Sequence, residues 1–146
     1  MSYTDLFTQL VRAEIRLWNS LDNHLQARID VTLATFQALS AIAGAAGPMR
    51  VQDISDELSI TVGASSKLVD RLERDGLVRR ESNPEDRRSS IVVLTETGRL
   101  AQSAAASATE AHLRALLSQS YSPTRASDLA SELGSLQARA LEEAKA

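Results

Sequence analysis

The stretch of residues 51–94 restricts the fold more than any other part of the chain, because it joins two short helical patterns to a hairpin pattern. In VQDISDELSITVGASSKLVDRLERDGL, Val51, Ile54 and Leu58 follow the spacing of a short amphipathic helix. Ser-Ile-Thr then interrupts this pattern, and Thr61 is a favourable N-cap for a second helix that ends at a glycine. Two short helices joined by a tight turn predict a helix-turn-helix.

Two short strand patterns, LVRRE and IVVL, follow the second helix and enclose the segment SNPEDRRSS. Pro84 stiffens the turn, and Arg87 and Arg88 stand side by side at its tip. We expect Asp86 to accept hydrogen bonds from a neighbouring arginine and so to order the loop. The sequence therefore predicts a β-hairpin, or wing, whose tip at residues 82–90 holds two exposed arginines.

Longer helical patterns flank this central unit on both sides. Over residues 4–27 apolar side chains recur at steps of three and four, and residues 32–43 are apolar almost throughout. After the hairpin, Thr95 is the expected N-cap of an alanine-rich helix, and Pro123 opens a last helix with a leucine stripe. The predicted fold class is mainly α with a small β-wing, a winged helix-turn-helix flanked by N- and C-terminal dimerisation helices.

The 146 residues suit a single domain. Within it, residues 1–30 and 100–146 form the predicted helical dimerisation region, and residues 31–99 form the predicted DNA-binding lobe. The leucine stripes at both ends can pack within one chain, but their position at both termini favours burial against a second copy across a two-fold axis. The N-terminal segment is charged and periodic, unlike a signal peptide, and no apolar run has membrane-spanning length, so we expect a cytoplasmic protein.

The net charge of −3 argues against nucleic-acid binding, but binding depends on the charge of one face. Residues 62–90 hold seven basic and six acidic side chains, a balance of +1, whereas the rest of the chain holds nine and thirteen, a balance of −4. On a helical wheel of the second helix, Ser65, Leu68, Val69 and Leu72 cluster inward. The opposite face is small, polar and basic, as a helix in the major groove requires.

The sequence thus predicts a recognition helix at about 62–75 in the major groove and the wing at 82–90 against the minor groove, where flat guanidinium groups fit. The helix N-terminus itself favours phosphate. The candidate DNA contacts are Thr61, Gly63, Ser65, Ser66, Lys67, Arg71, Arg74, Arg87 and Arg88.

Three charged residues near this face need a separate explanation. Asp70 opposes phosphate, so we expect it to pair with Arg74 at i+4 or with a wing arginine; a contact to cytosine N4 is the alternative. Arg79 and Arg80 alternate across a strand, so at most one points to a given face, and either can be structural.

The segments LSITVGASSKLVDRLERDGLVRR and NPEDRRSSIVVLTETG resemble the MarR family of bacterial winged-helix regulators. The family's hallmark is an Asp-x-Arg wing, here residues 86–88, between an L-x-R strand and an LT-x-x-G helix start, here residues 94–98. The match extends over about residues 50–98 and is less specific in the flanking helices.

The resemblance implies a homodimer with interlocked terminal helices, which places two winged lobes on a pseudo-palindromic operator as a transcriptional regulator, most often a repressor. It also implies release by a small, often aromatic ligand bound between the dimer region and the DNA-binding lobe. For such a ligand the candidate residues are Trp18, Phe36 and Leu113, although core or dimer packing also explains the first two. Family members that sense oxidants through a cysteine are excluded, because the chain has none.

Other function classes are less well supported by the residues. A winged helix that binds protein would show exposed apolar or aromatic side chains over residues 63–74, and the sequence has none there. An enzyme is not expected, since the chain lacks cysteine, a glycine-rich phosphate loop and a run of metal ligands. His24 and His112 without a carboxylate cluster are a weak metal signal, so neither a metal nor another cofactor is expected.

Overall fold

A computed structural model of the chain describes residues 1–145; Ala146, the last residue of the predicted dimerisation region, lies outside the described residues. The elements in chain order are α1 (Tyr3–Ile29), α2 (Leu33–Gly44), α3 (Val51–Leu58), α4 (Val62–Arg74), β1 (Val78–Ser82), β2 (Ser90–Leu94), α5 (Glu96–Leu117) and α6 (Pro123–Glu143). The predicted fold class, mainly α with a winged helix-turn-helix, is confirmed.

The helix-turn-helix is formed by α3 and α4, and local hydrogen bonds start both helices. At α3 the Asp53 carboxylate accepts a hydrogen bond from the backbone N–H of Arg50 at 2.8 Å. It also accepts two hydrogen bonds from the guanidinium group of Arg50, both at 3.0 Å. These hydrogen bonds, the side-chain ones foremost, lower the pKa of Asp53 below its ordinary value. At α4 the Thr61 hydroxyl accepts the N–H of Ala64 at 3.1 Å, which confirms the predicted N-cap.

One apolar core joins α2, α3, α4 and the sheet. Leu39, Ile54 and Leu72 are fully buried and contribute one large side chain from each helix. Val78 and Val92 cover this cluster from the two strands. Leucine, isoleucine and valine supply the core that the shortage of aromatic residues requires.

The wing is an antiparallel pair in which Val78 faces Leu94 and Ser82 faces Ser90. At its base Met49 forms an additional bridge with β2, because the N–H of Val92 donates to the Met49 carbonyl at 2.8 Å. The base of the hairpin is therefore tied to the α2–α3 connection, and the tip extends beyond it.

The passage from the wing into α5 is closed by several hydrogen bonds of Thr95. The Thr95 hydroxyl donates to the Gly76 carbonyl at 2.6 Å and accepts the N–H of Gly98 at 3.0 Å, while the Thr95 N–H donates to the Leu77 carbonyl at 3.1 Å. Gly76 itself has φ +73°, a left-handed conformation that glycine adopts freely. Thr95 thus closes the turn after α4 and caps α5, as its sequence position predicts.

The chain divides into two compact units, one from Met1 to Glu110 and one from Ala111 onward. In the first, α1 buries only Leu21 and Leu25, so that its N-terminal half carries exposed apolar side chains such as Phe7, which is 66% exposed. In the second, α6 buries none of its side chains. Among residues 1–145, none of the helices combines the length and hydropathy that a membrane span requires.

Gly98 offers a direct test of the junction. A Cβ at this position would lie 1.9 Å from the Leu77 carbonyl oxygen, so Gly98→Ala must push the wing away from α5. We expect a loss of about 3 kcal/mol in the free energy of unfolding, the upper end of ordinary overpacking, measured by urea denaturation. The control is Gly44→Ala, because a Cβ there meets nothing within 4 Å. Equal stability of the two variants would contradict the described junction.

Candidate nucleic-acid interface

The two faces of α4 differ as the helical wheel predicts. Ser65, Leu68, Val69 and Leu72 are its buried residues. The opposite face is solvent-exposed at its glycine and its basic residues and half-buried at Ser66. No large apolar side chain within residues 63–74 is exposed, but Ile60 and Val62 just before them are 36% and 47% exposed. Both side chains lie at the N-terminal end of α4, where a helix first meets a groove.

Ser65 does not belong among the candidate DNA contacts. Its side chain is fully buried, and its hydroxyl donates to the backbone carbonyl of Val51 at 2.9 Å. That hydrogen bond ties α4 to the start of α3, so the hydroxyl cannot reach a base or a phosphate. The helical wheel already placed Ser65 inward, and its inclusion as a contact was wrong. Thr61 keeps its exposed position, with its oxygen occupied by the cap to Ala64.

The candidate basic side chains share one property: each is exposed and none forms an ion pair with a described residue. In no case does a carboxylate oxygen of residues 1–145 lie within ion-pair distance of the cationic group. These side chains are Lys67, Arg71 and Arg74 on α4 and Arg87 and Arg88 on the wing tip.

The other arginines of the helix-turn-helix and hairpin, residues 50–94, behave differently. Arg79 contacts Glu81 at 2.7 Å, and Arg50 contacts Asp53 at 3.0 Å. Arg80 contacts two carboxylates, at 2.6 Å and 2.8 Å. Within residues 50–94 the arginines of β1 and of the start of α3 are therefore ion-paired, whereas the cations on the outer face of α4 and at the wing tip are not.

Of the two partners expected for Asp70, the structure shows an arginine of the wing, on its first strand and not at its tip. Asp70 pairs with Arg80 on β1, and it pairs neither with Arg74 nor with an arginine of the wing tip. Arg80 is drawn to this flank of α4 because its backbone N–H also donates to Glu73 at 3.0 Å. The sequence offered both an i+4 pair and a pair with the wing, and it left open which arginine of the wing would reach Asp70.

Short polar contacts order the wing tip. The Asp86 carboxylate accepts the backbone N–H of Arg88 at 3.0 Å, and its backbone carbonyl accepts the N–H and the hydroxyl of Ser89. Asn83 accepts the N–H of Glu85 at 3.0 Å and donates to the Ser89 hydroxyl at 2.9 Å. Asp86 thus binds the main chain of a neighbouring arginine and leaves the guanidinium groups of the tip exposed.

An open depression of about 400 Å³ lies between β1 and this tip. Three arginines and three serines border it, together with one glutamate: Arg80, Glu81, Ser82, Arg87, Arg88, Ser89 and Ser90. Hydroxyls and guanidinium groups are the side chains that bind phosphate oxygens in protein–DNA complexes. The wing therefore presents a polar, mainly cationic surface beside its tip.

The three candidate ligand residues do not share one depression. Trp18 borders a shallow depression of about 300 Å³ on α1, together with Glu14, Ile15 and Asn19. Phe36, half-buried on α2, does not border it, and the half-buried Leu113 belongs to the second compact unit. Over residues 1–145, no group of three or more potential metal-ligating side chains is found.

This fold, with a small-and-basic helix face beside a cationic hairpin, defines a winged helix-turn-helix protein. The model of the MarR family matches residues 29–89. Multiple antibiotic resistance protein MarR of Escherichia coli K12 is 34% identical over 103 residues, which are 66% of this chain and 71% of MarR. The regulator YfiV of Bacillus subtilis is 40% identical over 53 residues, which span 36% of this chain and only 33% of YfiV.

Solved structures agree over most of the chain. A MarR/EmrR family regulator from Acinetobacter sp. ADP1 has a TM-score of 0.84 at 20% identity, with 95% of this chain and 96% of that chain covered. A mutant MarR from E. coli, complexed with operator DNA, has a TM-score of 0.81 at 24% identity, with 90% and 93% covered. CouR from Rhodococcus jostii RHA1, bound to p-coumaroyl-CoA, has a TM-score of 0.79 at 21% identity, with 90% and 91% covered.

The chain belongs to the MarR family, whose members regulate transcription and are not enzymes. It is a DNA-binding transcriptional regulator.

Proposed function

We propose that the protein binds a pseudo-palindromic operator as a homodimer and represses transcription by occupying a promoter. In each protomer α4 enters the major groove and the wing tip reaches the adjacent minor groove. The observation that carries this proposal is the distribution of unpaired charge. In a chain with a net charge of −3, five exposed cations without ion-pair partners among residues 1–145 lie on α4 and the wing tip.

The N-terminal half of α4 suits the floor of the major groove. Gly63 has no side chain to keep the backbone away, and Ser66 and Lys67 can donate to base edges or phosphates. Thr61 brings the helix N-terminus, where free N–H groups and the helix dipole favour a phosphate. The exposed Val62 fits beside a thymine methyl group, so its apolar side chain supports DNA binding as well as the alternative of a protein partner.

The wing contributes two arginines of different expected roles. Arg88 follows the ordered Asp86 turn, so we assign it the specific minor-groove contact, and we assign Arg87 a phosphate contact. We expect Arg88→Ala to weaken operator binding by about 1–3 kcal/mol and Arg87→Ala to lower the slope of log affinity against log salt by about one for each phosphate that it no longer neutralises. Fluorescence anisotropy at several salt concentrations, on an operator selected from random duplexes, measures both.

Arg79→Ala is the matched control for the wing experiment. It removes one positive charge from the same hairpin, but Glu81 already neutralises that charge at 2.7 Å, so we expect a smaller effect. In a reporter strain the two tip variants should also relieve repression of a promoter that overlaps the operator. Wild-type affinity in both tip variants would refute the assigned role of the wing.

The homodimer proposal rests on apolar side chains that are exposed to solvent in the single chain. Phe7 on α1 is 66% exposed, and on α6 Leu136 is 51% and Leu141 58% exposed. Amphipathic helices without a buried face are rarely stable in isolation, because most helical stability in proteins comes from packing of the apolar side. A second copy of the chain would cover these side chains and set the distance between the two recognition helices.

A charge on the α6 stripe tests the dimer. We expect the full chain to scatter light with twice its 15.8 kDa mass, and Leu136→Glu to shift it towards the monomer, because a carboxylate in an apolar interface is costly to desolvate. Ala138→Glu is the control: it adds the same charge about 200° further around the helix. A wild-type mass near 15.8 kDa at micromolar concentration, or equal masses for the two variants, would contradict the proposed interface.

We further propose that a small aromatic effector binds in the α1 depression beside Trp18 and releases the operator. CouR, with the same fold, was solved with an aromatic acyl thioester, p-coumaroyl-CoA. The indole and Ile15 offer the effector an apolar surface, whereas Glu14 disfavours an anion there. A ligand that prefers the DNA-incompetent state lowers operator affinity, and operator lowers ligand affinity by the same factor.

Trp18 is the only tryptophan in the sequence, so its fluorescence reports directly on this depression. Titration with salicylamide and with salicylate compares a neutral and an anionic ligand of nearly equal shape. We expect the neutral compound to quench the fluorescence of Trp18 at lower concentrations than the anion does. When operator is present, higher concentrations of the compound should be needed for the same quenching. Calorimetry checks the affinities independently. Quenching that is unaffected by operator would show that the compound is not an effector of this kind.

A further inference from the structure

Arg80 joins the recognition helix to the wing through both its side chain and its backbone. Its guanidinium donates to Asp70 at 2.6 Å and to Glu73 at 2.8 Å, and its backbone N–H donates to the second oxygen of Glu73 at 3.0 Å. The side chain is 28% exposed, against 56% for Asp70. The hydrogen bond to Asp70, and after it the one to Glu73, raises the pKa of Arg80, so the guanidinium stays charged at any physiological pH.

The two carboxylates occupy an unfavourable place for a DNA-binding helix. Asp70 is three residues after Lys67 and four before Arg74, so it lies next to both cations on the helix surface. An uncompensated carboxylate there would repel the phosphates that these cations attract. Glu73, three residues after Asp70, extends the acidic flank towards β1.

We propose that Arg80 is a positioning residue that acts as the counter-ion of Asp70 and Glu73, and that it does not itself contact DNA. The proposal rests on the proposed role of α4 in the major groove. Arg80 holds both carboxylates against β1 and neutralises one of their two charges, which leaves Lys67 and Arg74 free to bind phosphate. Because the same residue binds the helix and belongs to the strand, it also fixes the wing at a constant distance from α4.

This role separates Arg80 from the other arginines that border the wing depression. Arg87 and Arg88 have no carboxylate partner in the described part of the chain, so a phosphate can take both guanidinium groups without breaking an existing pair. Arg80 would have to leave Asp70 and Glu73 before it could bind phosphate. Its two short ion pairs make it the arginine of this surface that is least available to DNA.

Four variants distinguish a counter-ion from a phosphate contact: Arg80→Gln, the double variant Asp70→Asn/Glu73→Gln, the triple variant that combines all three changes, and Arg79→Gln. Arg79→Gln is the matched control, since it removes one positive charge from the adjacent strand position. Arg79 forms its ion pair with Glu81 and not with a carboxylate of α4. Operator affinity and its salt dependence are measured for each by fluorescence anisotropy on a duplex selected with the wild-type chain. Thermal unfolding of the free proteins records any decrease in stability.

We expect Arg80→Gln to weaken binding by about tenfold, within the range of one interface side chain, and Arg79→Gln to weaken it less. The triple variant should return to within about threefold of the wild type, because removing the acids removes the need for their counter-ion. The double variant should bind more tightly than the wild type, since it keeps Arg80 and removes two negative charges. Its two substitutions are nearly isosteric, so it provides a test even if Arg80→Gln unfolds.

A different pattern would overturn the proposal. If the triple variant stays as weak as Arg80→Gln and its salt slope falls by about one in each protomer, Arg80 is itself a phosphate contact. If the double variant binds no more tightly than the wild type, the DNA does not sense these acids. If Arg80→Gln and Arg79→Gln weaken operator binding equally, Arg80 contributes only its positive charge and has no special role as a counter-ion. A wild-type chain that selects no duplex would refute DNA binding by α4 itself, a failure distinct from these three.

Discussion

The Thr95 hydroxyl and the missing side chain of Gly98 together fix how the hairpin joins the helices on either side of it. The hydroxyl donates to the carbonyl of Gly76, in the turn after α4, and also caps α5. Gly98 lets the α5 backbone approach Leu77 to a distance that a Cβ does not permit. The start of β1 and the start of α5 are thereby fixed to each other, so the hairpin between them must return to the place where it began. The direction of the wing follows from this closure.

Most of this lobe follows from local sequence rules. The spacing of apolar residues predicts the helices, and Thr61 and Thr95 mark where two of them begin. The alternation of residues on both sides of the turn predicts the hairpin. These features depend on residues within about one helical turn or one hairpin, so the local sequence is enough to predict them. The bridge between Met49 and Val92 lies beyond this range, because it pairs positions 43 residues apart and Met49 belongs to no recognisable strand pattern.

The interface was predicted less completely, for a related reason. Ser65 has the residue type of a DNA contact, but its inward position on the helical wheel and its buried hydrogen bond to Val51 both assign it to the core. Asp70 has an arginine at i+4, yet it pairs with an arginine ten residues later because β1 returns along the same flank of α4. Residue type and spacing indicate which groups a side chain is able to bind. Which partner it takes depends on the tertiary fold.

Pairing therefore matters more than the number of charges in this protein. Residues 62–90 contain nearly as many acids as bases, and a count of charges would give this segment little attraction for DNA. The fold pairs Arg79 with Glu81 and Arg80 with Asp70 and Glu73, so that three of the six acids have their counter-ions on the strand side. The field of a charge falls with distance and with screening, so the cations nearest to a phosphate contribute most to its attraction. A net-acidic protein can in this way present a basic surface while its overall charge opposes nonspecific attachment to DNA.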